Sequence, residues 1–153
     1  MISTVVPAIG LVLAGILAGE EFIVRWGVQP ALSRLSDHSH VEARIALVKR
    51  LKIVVPAIMV PTALLAVATL LVAGGGAGLA WRWAGMIALV AFLLFSFLGT
   101  VPINIKVNDW DADAPPAEWK AVVARWQAID VYRSTAAVVA FVCFTIAFAL
   151  QLS

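Results

Sequence analysis

"MIALVAFLLFSFLG", residues 86–99, runs straight into "TVPINIKVNDWD", residues 100–111. The first half has no charge and is apolar enough to cross a bilayer. The second half carries two asparagines four residues apart, a lysine and two aspartates. Residues three, four and seven apart share one face of a helix. Thr100, Asn104, Asn108 and Asp111 therefore form a single polar stripe, while Lys106 points nearly opposite and can snorkel to the headgroups. Polar groups inside a membrane are costly unless paired, so the stripe predicts neighbouring helices that supply partners for the amides.

The rest of the chain supplies those helices. Of its 153 residues, 63% are hydrophobic and only 13% charged, with a mean hydropathy of +1.00. Soluble domains average roughly 45–50% apolar residues, so the composition is that of an integral membrane protein. The length suits one domain with about four spans of ~20 residues. The first span runs from about Thr4 to Trp26. It has no basic residue ahead of it and no evident cleavage site, and is read as a retained helix. The Pro-, Ser- and His-containing loop "QPALSRLSDHSH" leads into a second, from about Val41 to Val72, in which Pro56 and Pro61 predict kinks. "GGGAG", residues 74–78, is a turn. The third span covers about Trp81 to Trp110 and ends at "DADAPPAE". The fourth begins near Pro116, which suits a first helical turn, and continues to about Leu150. The expected fold is all-α: a single transmembrane domain over residues 1–153, a four-helix bundle running up-down-up-down.

Charge gives an expected orientation. Every Lys and Arg except Arg82, and all nine Asp and Glu residues, fall on the half holding the 27–40 and 111–116 loops. The positive-inside rule places that half in the cytoplasm, with both termini outside the cell membrane and helices 2 and 4 extending beyond the bilayer on the cytoplasmic side. Lipid headgroups are the ordinary partners of such basic residues.

Facing stripes locate a candidate site at that end. In the first helix Gly10, Ala14 and Ala18 share a face with Glu21 and Arg25, and small residues let helices approach closely. Glu21 should point inward with Arg25 as its partner one turn on. Glu20 falls among Ile9, Leu13, Ile16, Leu17 and Val24, a face for lipid or a neighbouring subunit. "GILAG", residues 15–19, is a G-x-x-x-G match that leaves a homo-oligomer open. In the fourth helix Trp119, Trp126, Asp130, Arg133, Ala137 and Phe144 share a face. Two readings stay open: interhelical hydrogen bonding with a structural Asp130 and Arg133 pair, or a polar pocket for a small aromatic or hydrophobic ligand.

Other chemistries find little footing. Cys143 stands alone inside an apolar run and forms no disulfide framework. His38 and His40 beside Asp37 have metal-ligand character, yet a solvated cap is the commoner use of such a turn, and no metal is assigned. No histidine lies in the membrane portion of a helix to bind haem. No phosphate-binding, nucleophile-elbow or zincin motif is present, nucleic-acid binding has no support, and the paired broken helices of a transporter are missing.

Small residues before an acidic turn, Pro30 in the loop after it, N-x-x-x-N closing the third helix (Asn104, Asn108) and W-x-x-x-[HD]-x-x-R opening the fourth (Trp126, Asp130, Arg133) together resemble the anthrone oxygenase-like membrane family. The likeness spans nearly the whole chain through short motifs. Two positions depart from it: Lys106 stands where Pro is frequent, and Asp130 where His is frequent. The resemblance implies a four-helix membrane bundle and, for a few members, oxidation of polyketide anthrones to anthraquinones by O2 without a cofactor. On the residues present, Glu21 is the expected proton acceptor and Asp130 the orienter of Arg133. Arg133 with Asn104, Asn108 and Thr100 would hold a phenolate oxygen, and Trp119 and Trp126 would wall a polycyclic ring. The alternative is a non-enzymatic membrane module that binds a lipid or small hydrophobic ligand, or supports a partner protein.

Overall fold

Four long helices, α1 (Ile2–Leu32), α2 (Asp37–Val72), α3 (Leu79–Asn108) and α4 (Trp119–Leu152), make up the computed structural model, which describes residues 1–153 and contains no strand. Each is long and apolar enough to cross a membrane. Large side chains such as Ile9, Leu64, Leu71, Ile87 and Leu98 point away from the other helices, an arrangement that water would penalise and lipid does not. The chain is an integral membrane protein built as a helical bundle.

Several helix ends differ from the sequence expectation. α1 does not stop at Trp26 but continues through Pro30, because a wider π-helical turn over Val24–Val28 precedes it, with Gln29 N–H bonded to the Val24 carbonyl. A proline ring presses on the carbonyl four residues back in an α-helix, and the wider register gives it room. α3 repeats the device: a π turn over Phe95–Thr100, with Val101 N–H on the Ser96 carbonyl, precedes Pro102. Only a short link therefore separates α1 from α2. Ser36 caps α2 by accepting from Ser39 N–H, and Asp37 occupies the first turn, where the helix dipole favours a negative charge. α2 runs unbroken through Pro56 and Pro61. α4 starts at Trp119 rather than Pro116, after a turn closed by Trp119 N–H on the Pro116 carbonyl (3.0 Å).

α1 packs on α2 and α4, and α3 packs most extensively on α4. Glycines set the last contact: a Cβ on Gly85 would come within 2.6 Å of Phe144, and one on Gly99 within 2.6 Å of Ile129. The Gly10, Ala14 and Ala18 stripe does face inward, with Gly10 against Leu65 and both alanines buried. The G-x-x-x-G pattern is split. Gly15 is covered by Phe141, whereas Gly19 has open space beside it. At one end of the bundle Gln151 Nε2 donates to the Ser3 carbonyl (2.6 Å). Elsewhere His38 meets Asp113 (3.0 Å) and Lys120 meets Asp37 (2.7 Å), tying the start of α2 to the α3–α4 connection and the start of α4.

Candidate functional site

Between these helices lies a cavity of about 260 Å³. Both π turns open onto it: Val24 and the following Gln29 from α1, and Ser96, Phe97 and Thr100 from α3. π turns recur at functional sites because the extra residue re-aims side chains. One turn on from Thr100, Asn104 and then Asn108 continue the wall, and α4 contributes Trp126 and Arg133. Five of the residues expected at the site, Thr100, Asn104, Asn108, Trp126 and Arg133, thus meet around one space. Lys106 is exposed and takes no part, as its angle on the helix requires. Apolar side chains of α2, among them Leu47, Val48, Leu51 and Met59, form much of the remaining wall.

Two of the wall's polar atoms are buried without a hydrogen-bond partner: the Asn108 Oδ1 acceptor and the Trp126 Nε1 donor. Nearly all buried polar groups are paired, so each marks a place where a ligand atom would be stabilised. Thr100 is differently placed, since its hydroxyl donates to the Ser96 carbonyl (3.3 Å) and only its oxygen lone pairs remain.

The expected catalytic carboxylates stand behind this wall. Arg133 Nη2 lies 2.6 Å from Glu21 Oε2 and its Nε 3.2 Å from Asp130 Oδ1. Glu21 is 0% exposed and Asp130 2%, and neither lines the cavity. The Glu21 contact is one of charge, off the line of a hydrogen bond, so both its oxygens lack a hydrogen-bond donor. Arg25 is not its partner: Arg25 Nη1 donates to Ser134 Oγ (3.2 Å) and its guanidinium sits over Trp26. The π turn that begins at Val24 breaks the four-residue register on which the Glu21 and Arg25 pairing depends. Glu20 is also displaced from its expected lipid face. Its carboxylate oxygens are buried, unbonded by any donor, and lie beside the Glu21 carboxyl. Trp119 lies outside the cavity, edge-on to His40 and packed with Val41 and Val123.

The polar residues that sequence reasoning passed over come from α1 and α2. Arg44 lines the cavity and is buried, with Nη2 donating to Gln29 Oε1 (2.7 Å) and Nε to His40 Nε2 (3.4 Å). His38 and His40 therefore serve different neighbours and do not converge. Arg44 and Arg133 both approach the Trp126 ring, 5.4 and 6.0 Å from its centroid. The signal for Arg44 was the buried stripe His40, Val41, Arg44 and Val48 at helical spacing, with an arginine on its apolar side.

The fold and cavity define a helical integral membrane protein with a polar-tipped apolar chamber inside its bundle. The chain belongs to the anthrone oxygenase family, whose model, described as anthrone oxygenase, matches residues 46–143. No curated protein and no solved structure matches it.

Proposed function

We propose that the cavity binds a flat phenolic ketone of the anthrone kind and supports its oxidation by O2 without a cofactor. One observation carries this reading: the motif residues Asn104, Asn108, Trp126 and Arg133 line a single chamber, and two of them carry buried hydrogen-bonding atoms that no protein group uses. The Asn108 oxygen suits a phenolic O–H, and the Trp126 N–H suits a ring oxygen. The size fits as well, since a dry cavity of about 150 Å³ already accepts benzene and this one is larger.

Each residue then has a part. The benzylic C–H of an anthrone is acidic because its anion spreads onto the ketone oxygen. Donors fixed around that oxygen, from Trp126, the amides and Arg133, lower the cost of the charge as it develops. The proton goes to water, because Glu21 and Asp130 stand behind Arg133. In this reading those two carboxylates are positioning residues that fix the guanidinium. The carbanion passes one electron to O2, and the resulting radicals join as a peroxide at the same carbon. A proton returns to the peroxide. Loss of the remaining C–H hydrogen and the outer oxygen as water leaves the quinone.

Aerobic incubation of the purified protein with an anthrone, with quinone and O2 uptake followed against spontaneous oxidation, tests the proposal. Arg133→Gln and Asn108→Leu should both fall to the spontaneous rate. Native protein that gives no quinone above that rate refutes it. A second reading, binding of a lipid or small hydrophobic ligand without turnover, is favoured by the lack of any carboxylate or imidazole on the cavity wall.

The proposal extends to placement in the membrane. The chain is a single transmembrane domain running up-down-up-down in the cell membrane, with both termini outside. The Gln151 bond to Ser3 and the contacts of residues 37–38 with 113 and 120 support this pairing of ends. α2 has 36 residues and α4 has 34. At 1.5 Å per residue both are about 50 Å long, against a hydrocarbon core of about 30 Å, which supports their extension on the cytoplasmic side.

A further inference from the structure

Two guanidiniums reach the cavity, and they are not equivalent. Arg133 holds two carboxylates. Arg44, 3% exposed, has only neutral neighbours in contact: the Gln29 amide, the His40 ring and the Trp126 face. No carboxylate forms an ion pair with it, and Asp130 acts on it only at longer range. Gln29 and His40 orient the guanidinium without cancelling its charge. Buried charges are ordinarily paired, so an uncompensated cation on a cavity wall is a site that lacks its anion. Lys52 also lines the cavity but is exposed, so water already screens it.

The geometry names the anion. A guanidinium has five N–H groups in a planar fork. Arg44 spends its Nε hydrogen on His40 and one Nη2 hydrogen on Gln29. The Nη1 pair and the second Nη2 hydrogen have no protein acceptor. That edge, with one N–H from each terminal nitrogen, matches the two oxygens of a carboxylate.

We infer that the Arg44 end of the cavity is a carboxylate subsite, and that the ligand is a flat aromatic molecule bearing an ionised acid, with its acid on Arg44 and its ring toward Trp126. The aromatic half of this inference rests on the proposed function, whereas the acidic half rests on Arg44 alone. It assigns work to Gln29, His40 and Arg44, all of which precede the residues matched by the family model.

Equilibrium binding of anthraquinone-2-carboxylate and of unsubstituted anthraquinone to the full chain in detergent tests it. Native protein should bind the carboxylate at least about tenfold more tightly, in line with a charged, two-point hydrogen bond. Arg44→Gln should abolish that preference. Equal binding of the two quinones by native protein overturns the subsite, as does an Arg44→Gln variant that keeps the preference. The comparison within the native protein needs no variant, so misfolding of Arg44→Gln does not shelter the inference. Quinone formation from a neutral anthrone, with no preference for the acid, would sink the subsite and leave the oxidation standing. A preference for the acid without turnover would do the reverse.

Discussion

Replacing Arg133 by Met tests whether one guanidinium holds two carboxylates inside the bundle. Methionine keeps the length and apolar bulk of the arginine stem, so the change removes charge more than volume. The ion pairs lost are 2.6 Å to Glu21 and 3.2 Å to Asp130, with all three side chains buried. Deleting one partner of a buried pair costs about 3–5 kcal/mol, because the other charge is stranded. At about 2–4 °C per kcal/mol for a chain of this size, Arg133→Met should lower the melting temperature by about 6–20 °C. Glu21→Gln alone leaves Arg133 on Asp130 and should cost less, about 1–3 kcal/mol. The decisive comparison is the triple variant Arg133→Met, Glu21→Gln, Asp130→Asn. It removes both paired carboxylates along with the cation and leaves only the Glu20 carboxyl beside them, and exchanging a buried ion cluster for neutral groups is often close to neutral, so it should recover most of the loss. Thermal unfolding of the purified protein in one detergent reads all three. A single Arg133→Met variant that melts within about 2 °C of the native protein, or a triple variant no more stable than the single, would refute the arrangement.

Three further outcomes are expected. Asn108→Leu should weaken quinone binding by about tenfold, while Lys106→Leu leaves it unchanged; equal effects in a titration would dissolve the distinction between the cavity wall and the outer face. Gly85→Val should cost about 1–3 kcal/mol by overpacking, since a Cβ there meets Phe144 at 2.6 Å, whereas Gly19→Ala, with open space around it, should melt like the native protein. A cysteine introduced at Ser153, in a chain whose Cys143 is buried, should react with an impermeant reagent in intact cells, and reaction only after permeabilisation would reverse the assigned orientation.

The sequence made the four spans legible because a bilayer demands long uninterrupted apolar runs, and no other class of fold leaves that record. Local angles were legible too wherever the helix stayed regular. From Thr100, the last residue of the widened turn, Asn104 and Asn108 advance by single turns of α-helix, and the three reach the cavity together. Where the register changed, the same reasoning failed. Arg25 lies in a π turn, so its four-residue spacing from Glu21 no longer put the two side chains on one face. Gln29 and His40 were concealed by a different cause. Pro30, three serines and a histidine pair look like solvated loop, yet most of that stretch is helical, and both residues turn inward to Arg44. Arg44 itself sits among charged neighbours, and a basic residue near a membrane surface ordinarily belongs to headgroups. Burial among neutral partners is a tertiary property that composition does not record.

Pro30, which reads as a loop residue, and Pro102 are better understood as part of what holds the chamber open. In each case the residue just before the proline, Gln29 or Val101, donates its N–H five residues back, and the π turn ends immediately before that donor. The spacing is the same in α1 and α3, helices with unrelated sequences at this point. A proline cannot donate and its ring needs clearance from the carbonyl four residues back, and here, unlike at Pro56 and Pro61 where α2 stays α-helical, the backbone accommodates it by one extra residue per turn. That extra residue widens the helix where the Val24, Gln29, Ser96, Phe97 and Thr100 side chains face the cavity. With α1 and α3 both widened at the level of Trp126, the neighbouring wall is left to α2, which fills it with aliphatic side chains and Arg44. The charge balance follows from the same layout. α1 turns Glu21 toward α4, where it neutralises Arg133 together with Asp130, and offers α2 only the Gln29 amide, so that the cation facing Trp126 from α2 keeps its charge for whatever enters.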